Sequence, residues 1–355
     1  MSFKNGMNPE AKRFGNGVKF ISVMDILNNQ FIYYDNIRAS VEIADSDLDT
    51  YGVNYGDILF QRSSETLEDV GQANVYLDSK PAVFGGFVIR GKSKGNYNPS
   101  FFRYLLTSPT VRKRVIVKGA GAQHFNIGQD GLSKVCIDIP CIKEQEKIAR
   151  LLALLDERIA TQNKIIEDLK KLKSAISERL FKSVKGSIVL LSDICDIVKG
   201  KQINGENLSE RGRYYVMNGG TEPSGYYDDY NVEANTISIS EGGNSCGYVQ
   251  FNTFPFWSGG HCYSIQNVTG NVDNLYLYHY LKSNEDNIMK LRIGSGLPNI
   301  QKKDLAMFKI IVPTLEQQMT ISTFLSSIER KAEIERRIQN AIQKQKLYLL
   351  QQMFI

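Results

Sequence analysis

The sequence lacks the long apolar segments that span membranes. No run of about 18 apolar residues occurs in the chain of 355 residues. Its first residues have neither the apolar stretch of a signal peptide nor the arginine-rich, acid-poor character of a transit peptide. These absences predict a soluble, cytoplasmic protein that has no membrane partner.

Cysteine and histidine are scarce, with 5 and 3 residues. An odd number of cysteines in mostly apolar, strand-like runs predicts small core residues in a reducing compartment and no disulfide framework. The cysteines are Cys136, Cys141, Cys195, Cys246 and Cys262. His261 beside Cys262 leaves a metal site as the alternative, but paired C-x-x-C spacing is absent. We therefore predict no bound metal.

One string resembles a nucleotide-binding loop. Residues 86–93 (GFVIRGKS) match the pattern G-x-x-x-x-G-K-[ST]. However, Phe87 to Ile89 indicate a strand, and the following residues cannot begin the helix whose N-terminus would hold phosphate. We therefore interpret Lys92 and Lys94 as a basic turn, and nucleotide binding remains only a minor alternative.

A second string resembles the tetrapeptide with which amino-methyltransferases hold a flipped base. It begins at Asn98 and ends at Phe101, but no glycine-rich strand-to-helix turn for a cofactor precedes it. Asn98 is better explained as the cap of a short helix with Pro99 in its first turn. A nuclease-type Pro-Asp followed by Glu-x-Lys is also missing. The sequence thus predicts no catalytic residue and no cofactor.

What the chain does contain is an internal repeat. At a constant offset of 173 positions, Asn126 matches Asn299, Pro140 matches Pro313 and Gln145 matches Gln318. Upstream, at slightly different offsets, Gly85-Gly86 matches Gly259-Gly260 and Tyr104-Leu105 matches Tyr280-Leu281. Each copy has short β-branched and aromatic runs between turn residues, which indicates a mostly-β domain.

A long helix is predicted after each of these domains. From Ile148, apolar residues recur at alternating steps of three and four, and a looser pattern follows Ile321. Helices of about 40 residues need a partner, and the other copy is the obvious one. We therefore predict an α+β fold with two mostly-β domains, 1–140 and 186–313, and two long helices, 141–185 and 314–355. The helices should pair as an antiparallel coiled coil with pseudo-twofold symmetry.

The net charge of +5 permits nucleic-acid binding without proving it. Residues 142–185 carry +4, whereas residues 186–313 carry −3. If the second domain binds DNA, it must therefore use local basic loops.

The junctions between domain and helix resemble those of specificity subunits of type I restriction-modification systems. They read IDIPCIKEQEKIARLLALLDERI from Ile137 and IIVPTLEQQMTISTFLSSIERKA from Ile310, and the similarity extends over essentially the whole chain. The resemblance implies two target-recognition domains that bind double-stranded DNA. It also implies two DNA methyltransferase subunits as partners and, for cleavage, ATP-dependent restriction subunits. The candidate partner-binding residues are Glu144, Gln145, Glu316 and Gln317.

The first copy departs from the second at its beginning. Residues 3–6 align with 197–200, yet nothing matches the preceding strand Ile188 to Cys195. Truncation, an alternative start, or supply from elsewhere in the fold would each explain the missing strand.

Polar, glycine-flanked loops in matching places of both copies are the candidate DNA-reading elements. Arg62 suits guanine, Asn244 adenine and Glu241 cytosine. For any one loop, a solvated surface is the alternative. The complete candidate set is Lys4, Asn5, Arg62, Ser63, Ser64, Lys92, Lys94, Gln123, His124, Asn126, Lys199, Lys201, Glu241, Asn244 and Asn299. A DNA-binding adaptor outside restriction is the competing function.

Overall fold

The computed structural model describes residues 1–121, 123–294, 296 and 298–354. The chain folds into two compact units. Unit 1 comprises residues 1–162 and 338–354, and unit 2 comprises residues 163–337. Each unit therefore holds one strand-rich domain together with part of each long helix.

The domain of unit 1 alternates short strands and helices. Its strands are β1 (Ser2–Asn5), β2 (Phe14–Ile21), β3 (Ala39–Val41), β4 (Ile58–Gln61), β5 (Ser63–Ser64), β6 (Ala73–Val75), β7 (Val83–Phe84), β8 (Val88–Lys92) and β9 (Phe125–Asn126). Its helices are α1 (Val23–Asn28), α2 (Asp45–Tyr51), α3 (Pro99–Thr107), α4 (Pro109–Ile116) and α5 (Gln129–Ser133), and α6 (Ile142–Ser183) follows. An antiparallel sheet in the order β1-β8-β4-β6 lies beside a sheet in the order β3-β2-β7 and the pair β5-β9.

Unit 2 repeats this plan. Its strands are β10 (Ser187–Leu190), β11 (Asp196–Lys199), β12 (Tyr214–Met217), β13 (Gly225–Tyr227), β14 (Thr236–Ser240), β15 (Val249–Asn252), β16 (Trp257–Ser258), β17 (Cys262–Gln266) and β18 (Lys309–Val312). Its helices are α7 (Leu191–Ile194), α8 (Asn274–Ser283), α9 (Glu285–Met289) and α10 (Lys302–Ala306), and α11 (Leu315–Met353) follows. The sheets β11-β17-β14-β15 and β13-β12-β16 match the two larger sheets of unit 1, including one parallel pair in each smaller sheet.

The long helices are 42 and 39 residues in length, close to the predicted spans. At a rise of 1.5 Å per residue, each extends about 60 Å. Neither contains proline or glycine, and leucine, isoleucine, lysine and glutamate are frequent in both.

A buried glutamine anchors the beginning of each long helix to the short helix of the domain before it. Gln145 is 1% exposed; its Oε1 accepts from the Asn98 N–H at 2.8 Å and its Nε2 donates to the Pro140 carbonyl at 2.8 Å. Gln318 is fully buried and bonds the Asp273 N–H at 2.8 Å and the Pro313 carbonyl at 2.9 Å. The predicted match between the two glutamines is thus confirmed by identical contacts.

The two long helices are also joined by an ion pair inside each unit. In unit 1, Lys346 of α11 pairs with Asp156 of α6, and the Tyr104 hydroxyl donates to the same carboxylate at 2.8 Å. In unit 2, Lys173 of α6 pairs with Glu329 of α11, to which Tyr278 donates at 3.1 Å. At the repeat offset of 173, Asp156 of α6 matches Glu329 of α11, and Lys173 of α6 matches Lys346 of α11. Each helix therefore supplies the acid in one unit and the lysine in the other, as antiparallel pairing requires. The predicted fold class is confirmed.

The cysteine prediction is partly wrong. Cys195, Cys246 and Cys262 are buried core residues as expected, but Cys136 and Cys141 are exposed. Both exposed thiols lie in the extended segment between α5 and α6, where no strand covers them. All five are free thiols. Over the described ranges, no helix is both long and apolar enough to cross a membrane.

Candidate nucleic-acid interfaces

In unit 1, the turn between β7 and β8 brings separate loops together. This hub turn, Gly85 to Phe87, follows β7, whose Phe84 carbonyl accepts from the Met7 N–H at 3.0 Å. The Phe87 carbonyl accepts from the Arg62 N–H at 2.8 Å. The first loop of the domain and the loop after β4 therefore meet at one turn.

A third loop joins them through the β5-β9 pair. Ser63 lies opposite Asn126, and the Ile127 N–H donates to the Arg62 carbonyl at 2.9 Å. The pairing continues with Ser64 opposite Phe125, so the exposed Gln123 and His124 follow on the Glu65 side of the same pair of strands. The three predicted loops of unit 1 thus form one surface, which we call reading surface 1.

Unit 2 builds reading surface 2 with the same backbone bonds. Its hub turn is Gly259 to His261, and the Lys201 N–H donates to the Ser258 carbonyl just before it at 2.8 Å. The Glu241 N–H donates to the His261 carbonyl at 2.9 Å, as Arg62 does to Phe87. The third loop joins through the Ile300 N–H, which donates to the Glu241 carbonyl at 2.9 Å.

Glycine is required where the first loop crosses each hub turn. A Cβ at Gly6 would lie 2.1 Å from the Gly85 carbonyl oxygen, and one at Gly200 would lie 2.2 Å from that of Gly259. Such distances are impossible for a side chain. The two surfaces therefore share a frame set by close backbone approaches, and they differ in the side chains that the frame presents.

The predicted residues differ in where they lie relative to these surfaces, and Ser63 is half-buried in the β5-β9 pair. Those that are exposed on a reading surface or at its edge are Arg62, Gln123, His124, Asn126, Lys199, Lys201, Asn244 and Asn299. Lys4 and Asn5 are half-buried on β1, where the Lys4 ammonium lies 5.3 Å from the centre of the Tyr51 ring. Lys92 and Lys94 are exposed, but Lys92 ends β8 and Lys94 follows it, about 13 Å of strand from the hub turn.

Two candidates point inward. Ser64 is 8% exposed, and its hydroxyl donates to the Thr66 carbonyl. Glu241 is also 8% exposed; its Oε1 accepts from the Lys199 ammonium at 2.7 Å and from the Tyr263 hydroxyl at 3.1 Å. Glu241 therefore holds Lys199 at the surface through Oε1, and its predicted contact with cytosine stays a prediction.

Sequence reasoning missed the side chains at the tips of the hub turns. Phe87 is 68% exposed, and the side chain of the equivalent His261 is 63% exposed. Asn8 and Gln202 also occupy equivalent positions. The Asn8 amide oxygen would clash with a Cβ at Gly86, and the Gln202 amide oxygen would clash with a Cβ at Gly260. The repeated Gly-Gly pair was the available signal, because the residue after it faces the same surface in both copies.

The two enzyme-like strings have structural roles. In the first, Val88 and Ile89 lie in strand β8 as expected, but Phe87 lies in the turn before the strand and Lys92 is its last residue instead of a turn residue. In the second, Asn98 caps α3 by accepting from the Phe101 N–H at 2.9 Å, with Pro99 in the first turn. Within the part of the chain that the structure describes, no group of three or more His, Cys, Asp or Glu side chains has the geometry to hold a metal ion.

The partner-binding candidates also need correction. Glu144, Glu316 and Gln317 are exposed, but Gln145 is buried and uses both ends of its amide within unit 1. Apolar side chains beyond these doublets are more prominent. Leu151 and Leu154 on α6 are 43% and 55% exposed. The beginning of α11 carries a shallow, mostly apolar patch that includes the predicted Glu316 and is formed by Leu315, Glu316, Met319, Thr320, Thr323, Phe324 and Ser327.

Two domains of one plan, each with a surface of three converging loops and each joined to a long helix, define a class of repeated recognition protein. The sequence model of the type I restriction modification DNA specificity domain matches residues 3–171 and 186–344, and the chain belongs to this family. It is the specificity subunit of a type I restriction-modification complex, with two target-recognition domains and no catalytic role of its own. Such a subunit works with DNA and with the modification and restriction subunits of its complex.

Individual relatives agree. A putative type I restriction enzyme specificity subunit, MjaX, of Methanocaldococcus jannaschii is 27% identical, over 86% of this chain and 79% of that protein. The MjaVIII specificity subunit of the same organism is 25% identical, over 83% of this chain and 77% of that protein. The crystal structure of a type I S subunit from M. genitalium shares the fold, with a TM-score of 0.63 at 18% identity, and covers 100% of this chain and 93% of that one.

Proposed function

We propose that each reading surface recognises one half of a bipartite site in double-stranded DNA. The observation that carries this proposal is the duplicated frame, in which identical backbone hydrogen bonds present different side chains. Arg62 occupies the place of Glu241, and Phe87 that of His261. One scaffold with two sets of outward side chains is suited to read two different short sequences, since base edges are distinguished by side-chain hydrogen bonds and apolar contacts.

Domain exchange tests this division. Residues 1–140 are replaced with the first domain of another family member, and the methylated sites of cells that also express the methyltransferase subunit are mapped. We expect one half of the site to change while the other half and the spacer stay the same. A change in both halves would contradict independent reading. The chain alone should not methylate DNA.

The long helices set the spacer between the half-sites in this proposal. Four residues inserted between Ala160 and Lys164 add about one helical turn, or about 6 Å, which corresponds to one or two base pairs. We expect the spacer to lengthen by that amount with both half-sites unchanged. An unchanged spacer with full activity would show that the helices do not measure it.

The exposed apolar residues of the helices are the proposed docking sites for two methyltransferase subunits. Leu151 and Phe324 are 43% and 48% exposed and occupy equivalent positions in the repeat.

Phe324→Glu should weaken one docking site, and Leu151→Glu the other, because a charge would be buried in each interface. The measurement is the mass of the complex with the methyltransferase. Lys164→Glu is the matched surface control. Full two-subunit complexes with both variants would contradict this assignment. The ATP-dependent restriction subunits would join this assembly for cleavage.

A further inference from the structure

The tip of the hub turn in unit 1 presents an aromatic ring to solvent. Phe87 is 68% exposed although phenylalanine usually avoids water. Its backbone is fixed on both sides, because its carbonyl accepts from the Arg62 N–H at 2.8 Å and the next residue, Val88, donates to the Gly85 carbonyl at 2.9 Å. The ring is therefore held on a rigid turn, and ordering it against a ligand costs little backbone entropy.

The neighbours of the ring indicate what it meets. The Arg62 guanidinium lies beside it, with Nη1 3.4 Å from the Gly86 carbonyl, and the exposed His124 and Asn126 lie on the joined third loop. These side chains offer hydrogen-bond donors and acceptors of the kind that read base edges. The ring itself offers none. Among the groups exposed in the major groove, the C5-methyl of thymine is the one that an apolar side chain recognises.

The repeat supplies an internal comparison. In unit 2 the same frame presents His261, whose backbone N–H donates to the Asn218 Oδ1 at 3.0 Å and is restrained by it. Its imidazole lies 3.9 Å from the Glu241 carboxylate and can hydrogen-bond a base edge, which Phe87 cannot do. The frame is thus constant while the chemistry at its tip changes from apolar to polar.

We propose that Phe87 is a specificity-determining residue of the first half-site, where its ring packs on the C5-methyl group of a thymine in the major groove. This inference rests on the proposed function of reading surface 1 and goes beyond it by assigning one residue to one base group. His261 occupies the corresponding place at the second half-site.

The test uses the complex of the full chain with its methyltransferase subunit and the site found by methylome mapping. Each thymine of the first half-site is replaced in turn with deoxyuridine, which removes only the methyl group, and binding is measured. We expect one position at which the wild-type complex loses about fourfold in affinity, the effect of one buried methyl group. Phe87→Ala should bind the thymine and deoxyuridine sites equally, and it should accept other bases at that position more readily.

His261→Ala is the matched control, since it should alter selectivity only in the second half-site. Because Phe87 is exposed, Phe87→Ala should leave the melting temperature unchanged, so a loss of folding would not imitate the result. The inference is overturned if Phe87→Ala keeps every thymine preference, or if it weakens only the assembly with methyltransferase. The proposed function fails separately, if the wild-type complex methylates no bipartite site.

Discussion

Units 1 and 2 repeat one domain but close its core differently. In unit 2, β10 pairs with β18, and α7 places Leu191 and Ile194 in the core, where they are 0% and 4% exposed. In unit 1, the residues that match β18 by the repeat offset form no strand. They border an apolar groove of about 350 Å³ together with Phe3, Phe60 and Val115.

This difference separates two roles of the domain. The frame of the reading surface is the same in both units, although one unit has β10 and α7 and the other has no counterpart of them among its described residues. The strand and helical turn therefore contribute to the core rather than to the reading surface. We expect the two units to differ in stability more than in the geometry of their loops.

The largest effect should come from weakening the part of the core of unit 2 that α7 completes, which we call the closure. Leu191→Ala deletes a fully buried side chain and should cost about 3 kcal/mol of unfolding free energy, within the usual range for such cavities. Urea denaturation measures it, and hydrogen exchange shows whether the loss is confined to unit 2. Leu151→Ala, at a 43% exposed leucine, is the control and should cost less than about 0.5 kcal/mol. Equal costs would show that the closure is not part of the core.

The ion pairs between the long helices should rank next. Lys346→Met leaves the Asp156 carboxylate, whose side chain is only 13% exposed, without its cation, and should cost about 2 kcal/mol. Lys173→Met should cost less, about 1 kcal/mol, because the Glu329 side chain is 36% exposed and water can solvate it. The comparison is made by urea denaturation of both variants. A larger loss from Lys173→Met would contradict this ordering.

A buried histidine near the Lys173–Glu329 ion pair should make unit 2 sensitive to acid. His279 is 2% exposed, and burial lowers its pKa to about 4, with Lys173 acting in the same direction and Glu329 and Asp273 against it. Since the unfolded histidine has a pKa of about 6.5, folding excludes a proton that the unfolded chain binds. The stabilisation is therefore complete above pH 6.5 and is lost as the pH falls towards 4, by about 2 kcal/mol at pH 5.

His279→Gln removes the titrating group and provides the control. If the histidine is responsible, the difference in unfolding free energy of unit 2 between pH 7 and pH 5 should shrink by about 2 kcal/mol in this variant. Unit 1 has Tyr104 at the place of His279, counted from the caps Asn98 and Asp273, and tyrosine does not titrate in this range. An unchanged pH dependence in the variant would assign it to other groups.

The alignment of α3 with α8 shows where the sequence alone was insufficient. Matching letters aligned Tyr104 with Tyr280, but the caps and their glutamine partners align Tyr104 with His279. Both side chains contact the long helices, His279 through Ser326 and Tyr280 through Phe181, so identical letters do not reveal the register. In contrast, two other pairs were matched correctly because their hydrogen bonds require the same spacing: the backbone bonds of Asn126 and Asn299, and the side-chain amide bonds of Gln145 and Gln318.

The candidate site was predictable as a set of loops but not residue by residue. The repeat identified the three loops of each surface, since turns at equivalent places share backbone geometry. It could not show that Glu241 is held by Lys199 and Tyr263, because that burial depends on residues distant in sequence. The repeated Gly-Gly pair marked the turn at Phe87 but not the exposure of its ring, because an apolar residue beside a strand usually faces the core.

The smallest expected effect comes from supplying unit 1 with the closure that unit 2 has. In this variant a copy of residues 187–194 (SIVLLSDI) is joined directly ahead of Met1, which takes the place of Cys195, since in unit 2 this segment leads through Cys195 into β11, the counterpart of β1. The two aliphatic side chains of its helical turn would enter the groove, and its strand would pair with residues 136–139. The burial of these side chains and the new strand pairing oppose the entropy cost of ordering eight residues, so we expect only a small net stabilisation. The control carries serine at the positions copied from Leu191 and Ile194 and should give no gain.

Urea denaturation measures the difference, and hydrogen exchange at Phe60 and Val115 shows whether the groove is covered. If both additions leave the stability and the exchange of unit 1 unchanged, the groove is not equivalent to the closed core of unit 2, and the comparison between the units holds only for their reading surfaces.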